Sequence, residues 1–236
     1  MRLFHFLVNT RDRIEWRRLS KRLDSLDRIR SRHPEFPDCR AAIRRAGTDN
    51  LDYFGNGYEH EGGLFLQQNP DEFAALCLLL EEHKPLNNYL EIGTASGGTA
   101  RFLWNRFQFS QVLCLDDGHH PRADAQDRHL AEILDCHRYC GDSHAPAARR
   151  FLEQHSRDPI DIAFVDGDHR YEGVWQDIRM VLPFCRTGSL LVLHDTVACS
   201  GVQQAWRELL TQRLAYPLAE YVGDEKPLGI GIATVA

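Results

Sequence analysis

The sequence predicts a doubly wound α/β fold with a mostly parallel sheet and a helical extension at its amino terminus. Two patterns carry the prediction. Apolar runs at Tyr89–Ile92, Val112–Leu115, Arg138–Cys140, Ile160–Val165 and Leu190–Leu193 alternate with helical stretches near 123–136, 145–155 and 171–182, as strands joined by helical crossovers do. The first run enters the turn Gly93-Thr94-Ala95-Ser96-Gly97-Gly98, and a helical pattern opens just after it at Arg101-Phe102-Leu103-Trp104. Glycines in such a strand-to-helix turn let the main chain approach a ligand, and the free N–H groups of the new helix favour a polar or anionic group.

Composition bounds the answer. The chain has 236 residues, 43% of them hydrophobic, enough for one sizeable packed domain with an appendage. The net charge of −6 conceals an asymmetry, since residues 1–50 hold 13 Lys and Arg against 7 Asp and Glu, and the remainder 15 against 27. The division expected is a basic helical extension over 1–50 and the sheet domain over 51–236, whose acidic character argues against nucleic acid as its substrate. Seven cysteines are scattered mostly through apolar runs, which fits reduced thiols in the cytoplasm rather than a disulfide framework. Cys136, His137 and Cys140 lack zinc-site spacing.

Along the chain, Met1–Val8 is apolar but too short to span a bilayer and has no cleavage site. An arginine-rich helix is expected from Asp12 to about Arg32, with Trp16, Leu19, Leu23, Leu26 and Ile29 as its apolar stripe. That stripe predicts packing on the parent domain or a homodimer partner, and the arginines offer peripheral contact with an anionic membrane as the alternative. Pro34 and Pro37 end the element, and Asp49–Leu66 reads as a loop. Asn69-Pro70-Asp71-Glu72 is a helix start, with a capping side chain, proline in the first turn and a glutamate placed to complete a capping box.

An acidic residue stands at or just beyond the end of each expected parallel strand: Glu91, Asp116 with Asp117, Asp142, Asp166 with Asp168, and Asp195. Crossovers of one hand put these ends on one edge, where ligands of such sheets bind. Carboxylates gathered there repel one another unless ligands or cations compensate. Glu91 suits a cationic group of a ligand, Asp116 the two hydroxyls of a ribose, and Asp142 an adenine amino group or, with Ser143, a helix cap. Asp166 and Asp195, ending adjacent strands, form a candidate site for Mg²⁺ or a similar cation.

With these residues in view, the chain resembles the class I S-adenosylmethionine (SAM)-dependent methyltransferases. It is most similar to the group that joins catechol-type O-methyltransferases to sugar O-methyltransferases of natural-product and surface-polysaccharide pathways. The resemblance covers about residues 60–236 and rests on Leu90-Glu91-Ile92-Gly93 with Gly97, on Tyr139-Cys140-Gly141-Asp142-Ser143, on Phe164-Val165-Asp166-Gly167-Asp168-His169-Arg170-Tyr171, and on Thr187-Gly188-Ser189 leading to His194-Asp195-Thr196. It implies a Rossmann-like sheet of seven strands, with Gly229–Ala233 in the last, antiparallel one. It also implies a SAM site in which Glu91, Gly93, Ser96 and Gly97 meet the methionine part, Asp116 the ribose, and Asp142 with Ser143 the adenine. Asp166 would face both cofactor and metal. The metal set would be Asp166, Asp195 and His194, and the base His169 or Asp168.

The sequence departs from the family beside Asp195. Metal-dependent relatives carry Asn or Asp after that aspartate, or an acidic residue before it, and here the neighbours are His194 and Thr196. Imidazole suits Zn, Ni or Fe better than Mg. The expected function is metal-assisted methyl transfer from SAM to a hydroxyl of a small molecule or carbohydrate. The rivals are a metal-independent methyltransferase with an N- or O-acceptor and a SAM-binding scaffold without turnover. Glycine spacing argues against a nicotinamide enzyme.

Overall fold

The computed structural model of the chain describes residues 15–48 and 63–236. Seven strands form one sheet: β1 (Asn88–Ile92), β2 (Gln111–Asp116), β3 (Cys136–Cys140), β4 (Ile160–Val165), β5 (Cys185–His194), β6 (Ala215–Tyr221) and β7 (Ile230–Val235), in the order β3-β2-β1-β4-β5-β7-β6. The first five run parallel, and β7 is antiparallel to both β5 and β6. Strand order reverses between β1 and β4, and a crevice opens there at the carboxyl edge.

Alternation along each strand explains the three layers. Tyr89, Val112, Cys114, Phe164 and Val192 face one side, against the helices Leu26–Arg32, Phe36–Ile43, Pro70–Glu82 and Gly98–Phe107. Leu90, Leu113, Leu115, Ala163 and Leu191 face the other, against Pro146–His155, Tyr171–Val181 and Ser200–Thr211. The central strands are apolar on both faces, hence the unbroken apolar runs that mark them in the sequence.

The amino-terminal segment differs from the single helix expected. Residues 15–20 are helical, the chain then turns, and a second helix runs Leu26–Arg32. Between them Asp24 joins the sheet edge, its N–H donating to the Leu218 carbonyl and its own carbonyl accepting from the Glu220 N–H. A stripe of helical period over 16–29 thus spans two helical pieces and a bridge that covers part of the β6 edge. Leu26 and Ile29 are buried with Phe73–Leu80, so this face is turned onto the parent domain. The arginines also have partners there: Arg30 and Arg40 pair with Asp71, and Arg32 with Asp24 and Glu82. Among the described residues no helix is long and apolar enough to cross a membrane. The expectations for Met1–Val8 and for most of the Asp49–Leu66 loop fall outside the described residues.

Two local expectations change. The helix near 123–136 is shorter, a single 3-10 turn followed by Gln126–Leu130, before β3 begins at Cys136. His137 lies across the strand from Cys136 and Cys140 and packs on His155 with ring centroids 4.4 Å apart. The capping box is half formed: the Asn69 side chain accepts from the N–H groups of Asp71 and Glu72 (3.0 and 3.3 Å). Glu72 instead reaches the turn between β6 and β7, where its buried carboxylate accepts from the N–H groups of Gly223 (2.7 Å), Leu228 (3.1 Å) and Gly229 (2.8 Å). Replacing Glu72 with Ala leaves these donors without their partner and is expected to cost on the order of 3 kcal/mol, read as a lower urea midpoint at unchanged slope. An unmoved midpoint contradicts this role.

Candidate active site

The crevice is a cavity of about 570 Å³ at the ends of β1 to β4, and Gly93, Asp116, Asp142, Ser143, Asp166, Asp168 and His169 all line it. Sequence reasoning missed Gln67 and His120, which face each other across it with nitrogen atoms 3.0 Å apart. Neither carries a motif signal.

The glycine turn has two separate steric demands. Gly93 has φ +84°, and a Cβ there would sit 2.0 Å from the Asp166 carbonyl oxygen. Gly98 lies under the Leu64 carbonyl, 1.8 Å from where its Cβ would be. Ser96, expected at the cofactor, is buried, and its hydroxyl lies 3.0 Å from each of the Leu64 and Phe65 carbonyl oxygens. It therefore fastens the incoming segment onto the turn. Gly97, at φ +76°, packs on Leu130 rather than on the cavity.

Glu91 needs a similar correction. It is buried on the Tyr89 face of β1, outside the cavity lining. Burial pushes its carboxyl well above the usual range, and the charges of Asp166 and Asp116 push the same way. Asp116 sits as expected at the end of β2. Its two oxygens accept from the N–H groups of Ala95 (2.7 Å) and Gly118 (2.8 Å), and each keeps a lone pair for a further donor. Asp142 accepts from the His144 N–H at 2.8 Å and has an exposed side chain. The Ser143 hydroxyl donates to Asp177 at 2.7 Å.

Behind Asp166 and His169, which line the cavity, two carboxylates share two imidazoles; Asp195 and His194 are buried outside the lining itself. His194 Nδ1 lies 3.2 Å from Asp166 Oδ1 and 3.4 Å from Asp195 Oδ1. His169 Nε2 lies 3.3 Å from Asp166 Oδ1 and 3.4 Å from Asp195 Oδ2. Burial alone would raise the Asp166 pKa, but the His194 and His169 partners hold it down to about 2. The hydrogen bond to Asp166 raises His169, and His194 is raised well above the ordinary histidine value against the pull of burial. His194 is 1% exposed and Asp195 2%, yet among the described residues His194 Nε2 and Asp195 Oδ1 have no hydrogen-bond partner. Cys199, four residues on, puts its Sγ 3.7 Å from Asp195 Oδ2. Burial and the Asp195 charge push its thiol up to about 11. Asp168 is taken by Arg170, which donates to it from its main-chain N–H and its guanidinium.

A family model described as a methyltransferase domain matches residues 90–196, from β1 to just past β5. The resemblance to class I SAM-dependent methyltransferases drawn from the motifs therefore stands. No curated protein matches the sequence. Among solved structures, the fold is similar to that of the O-methyltransferase TomG of Streptomyces achromogenes, involved in tomaymycin synthesis and solved with SAM. That match has 17% identity and a TM-score of 0.60 over 84% of this chain and 89% of that one. An O-methyltransferase from Bacillus cereus, solved with S-adenosylhomocysteine, matches at 17% identity and a TM-score of 0.55 over 84% and 91%. An rRNA methylase from Streptococcus thermophilus matches at 14% and 0.52 over 70% and 96%. At such identities the likeness is one of fold, and it extends over proteins with unlike acceptors.

Asp177 supplies a pH prediction. Its side chain is fully buried, and burial raises its pKa to about 6 from the ordinary 3.8, although Ser143 and His144 act against the shift. The folded state therefore holds this proton more tightly than the unfolded one. The stability it contributes is fully present below about pH 4 and is lost as pH rises through about 6, on the order of 2 to 3 kcal/mol in all. Thermal unfolding of Asp177→Asn between pH 4 and 7 should lack this fall. A parallel pair of curves contradicts it.

Proposed function

We propose that the protein is a SAM-dependent O-methyltransferase acting on a hydroxyl of a small molecule or carbohydrate. The observation that carries this reading is the cavity itself. A nucleoside-compatible end, made by Gly93, Asp116, Asp142 and Ser143, leads to an end where two carboxylates and His169 meet. SAM supplies an electrophilic methyl group. On this reading the remaining lone pairs of Asp116 accept the ribose hydroxyls, and the rim at Asp142 and Ser143 receives the adenine. The seven free cysteines fit a reducing, cytoplasmic setting.

His169 is the group best placed to take the acceptor's proton, because Arg170 already occupies the Asp168 carboxylate. With Nε2 held toward Asp166 and Asp195, the other ring nitrogen, Nδ1, is the basic one, and the two carboxylates stabilise the imidazolium that forms. An isolated hydroxyl is weakly acidic, so stabilisation of the developing oxyanion has to accompany proton removal. The donor set fits a divalent cation held by Asp166, Asp195 and His194: two carboxylates and an imidazole converge, and Asp195 Oδ1 is buried without a hydrogen bond. A cation there would supply Lewis acidity toward the acceptor hydroxyl.

The test is transfer of a labelled methyl group from SAM to catechol and sugar acceptors. His169→Ala is expected to lower turnover about 100-fold with affinity for S-adenosylhomocysteine unchanged. Equal turnover in the variant removes His169 from the mechanism, and label on nitrogen alone contradicts the hydroxyl acceptor.

A further inference from the structure

Cys199 belongs to no motif, yet it stands beside the Asp195 carboxylate and His169. It caps the helix Ser200–Thr211, which places its side chain back beside Asp195 at the end of β5. A ring nitrogen of His169, a carboxylate oxygen of Asp195 and Cys199 Sγ lie within 4.8 Å of one another, and the other oxygen of Asp195, which faces His194, is buried without a hydrogen bond among the described residues.

The spacing decides what this corner is suited to. Charge-assisted hydrogen bonds between imidazolium and carboxylate run about 2.7 to 2.9 Å. Here His169 Nε2 is 3.4 Å from Asp195 Oδ2 and 3.3 Å from Asp166 Oδ1, too long for such bonds at full strength. Two ligands at zinc distances, on adjacent corners of a tetrahedron, are about 3.4 Å apart for nitrogen and oxygen and about 3.6 Å for oxygen and sulfur. The observed 3.4 Å and, for Cys199 Sγ to Asp195 Oδ2, 3.7 Å fall on those edges.

We propose that His169, Asp195 and Cys199 form a site for a thiophilic divalent cation such as Zn²⁺ or Co²⁺. Sulfur and imidazole donors select these ions over Mg²⁺, which takes oxygen ligands and keeps its waters. The site uses the other oxygen of Asp195 from the one that faces His194. A consequence rests on the methyltransferase reading above. Ligation at His169 Nε2 leaves the ring proton on Nδ1, where the acceptor's proton would have to go, so a filled site withdraws the base and inhibits transfer.

The experiment is titration of the full chain with Co²⁺ under a non-thiol reductant, followed by absorption and by metal analysis. The expected result is bound Co²⁺ with visible bands of tetrahedral cobalt and a near-ultraviolet sulfur-to-cobalt band. That band is lost in Cys199→Ser and kept in Cys140→Ser, the control for the exposed thiol. Zn²⁺ should bleach the spectrum and a 1000-fold excess of Mg²⁺ should not. Should Cys199→Ser fail to fold, His169→Ala serves in its place and is expected to lose the tetrahedral visible bands. Absence of Co²⁺ binding, or a sulfur band that survives Cys199→Ser, overturns the proposal. S-adenosylhomocysteine binding on the same samples separates the two readings, since cofactor binding without cobalt binding removes only the cation site.

Discussion

The contact between Gly93 and Asp166 is the constraint on which the site depends. The turn after β1 passes so close to the end of β4 that a Cβ at Gly93 would fall 2.0 Å from the Asp166 carbonyl oxygen. Hydrogen bonds on both flanks fix it, from the Gly93 N–H to the Leu115 carbonyl and from the Asp166 N–H to the Ile92 carbonyl, each 2.8 Å. The ends of β2, β1 and β4 are thereby drawn together at the point where strand order reverses, which is where a crevice must open in a doubly wound sheet. Removal of Cβ at this one position sets the floor of the cavity, with Asp116 and Asp166 brought to the same edge.

Gathering carboxylates on one edge carries an electrostatic cost, and the structure meets it in several ways. Asp116 is balanced by two main-chain N–H groups. Asp142 lies in solvent. Burial and its charged neighbours push the Glu91 carboxyl toward its protonated form. Asp168 is held by the Arg170 guanidinium, and both histidines of the cluster converge on Asp166 and Asp195. The chemistry of the site therefore concentrates at one end of the acidic edge, although in sequence the five acids look alike.

What was legible follows from what is local. The glycine turn, the parallel strands with their alternating helices and the Asp166–His169 loop each declare themselves within a dozen residues, and the structure places them as read. The features missed all depend on contacts distant in sequence. Ser96 looks like part of a ligand turn until the carbonyls of Leu64 and Phe65 occupy its hydroxyl. Glu72 fits a capping box by spacing, but burial draws its carboxylate to three N–H groups about 150 residues away. Strand β6 carries Pro217 and an irregular pairing with β7, so its period is weak in the sequence. Cys199 gives a faint signal in its four-residue spacing from Asp195, and only the helix start at Ser200 brings the two together.

The central claim is that the cavity holds the nucleoside of SAM with Asp116 as its ribose contact. Calorimetric titration of the purified chain with S-adenosylhomocysteine, repeated on a folded Asp116→Ala variant, tests it most directly. The account predicts stoichiometric binding by the parent chain and a loss of at least tenfold in affinity in the variant, about 1.4 kcal/mol or more. No binding by the parent chain, or equal affinity in the variant, contradicts it.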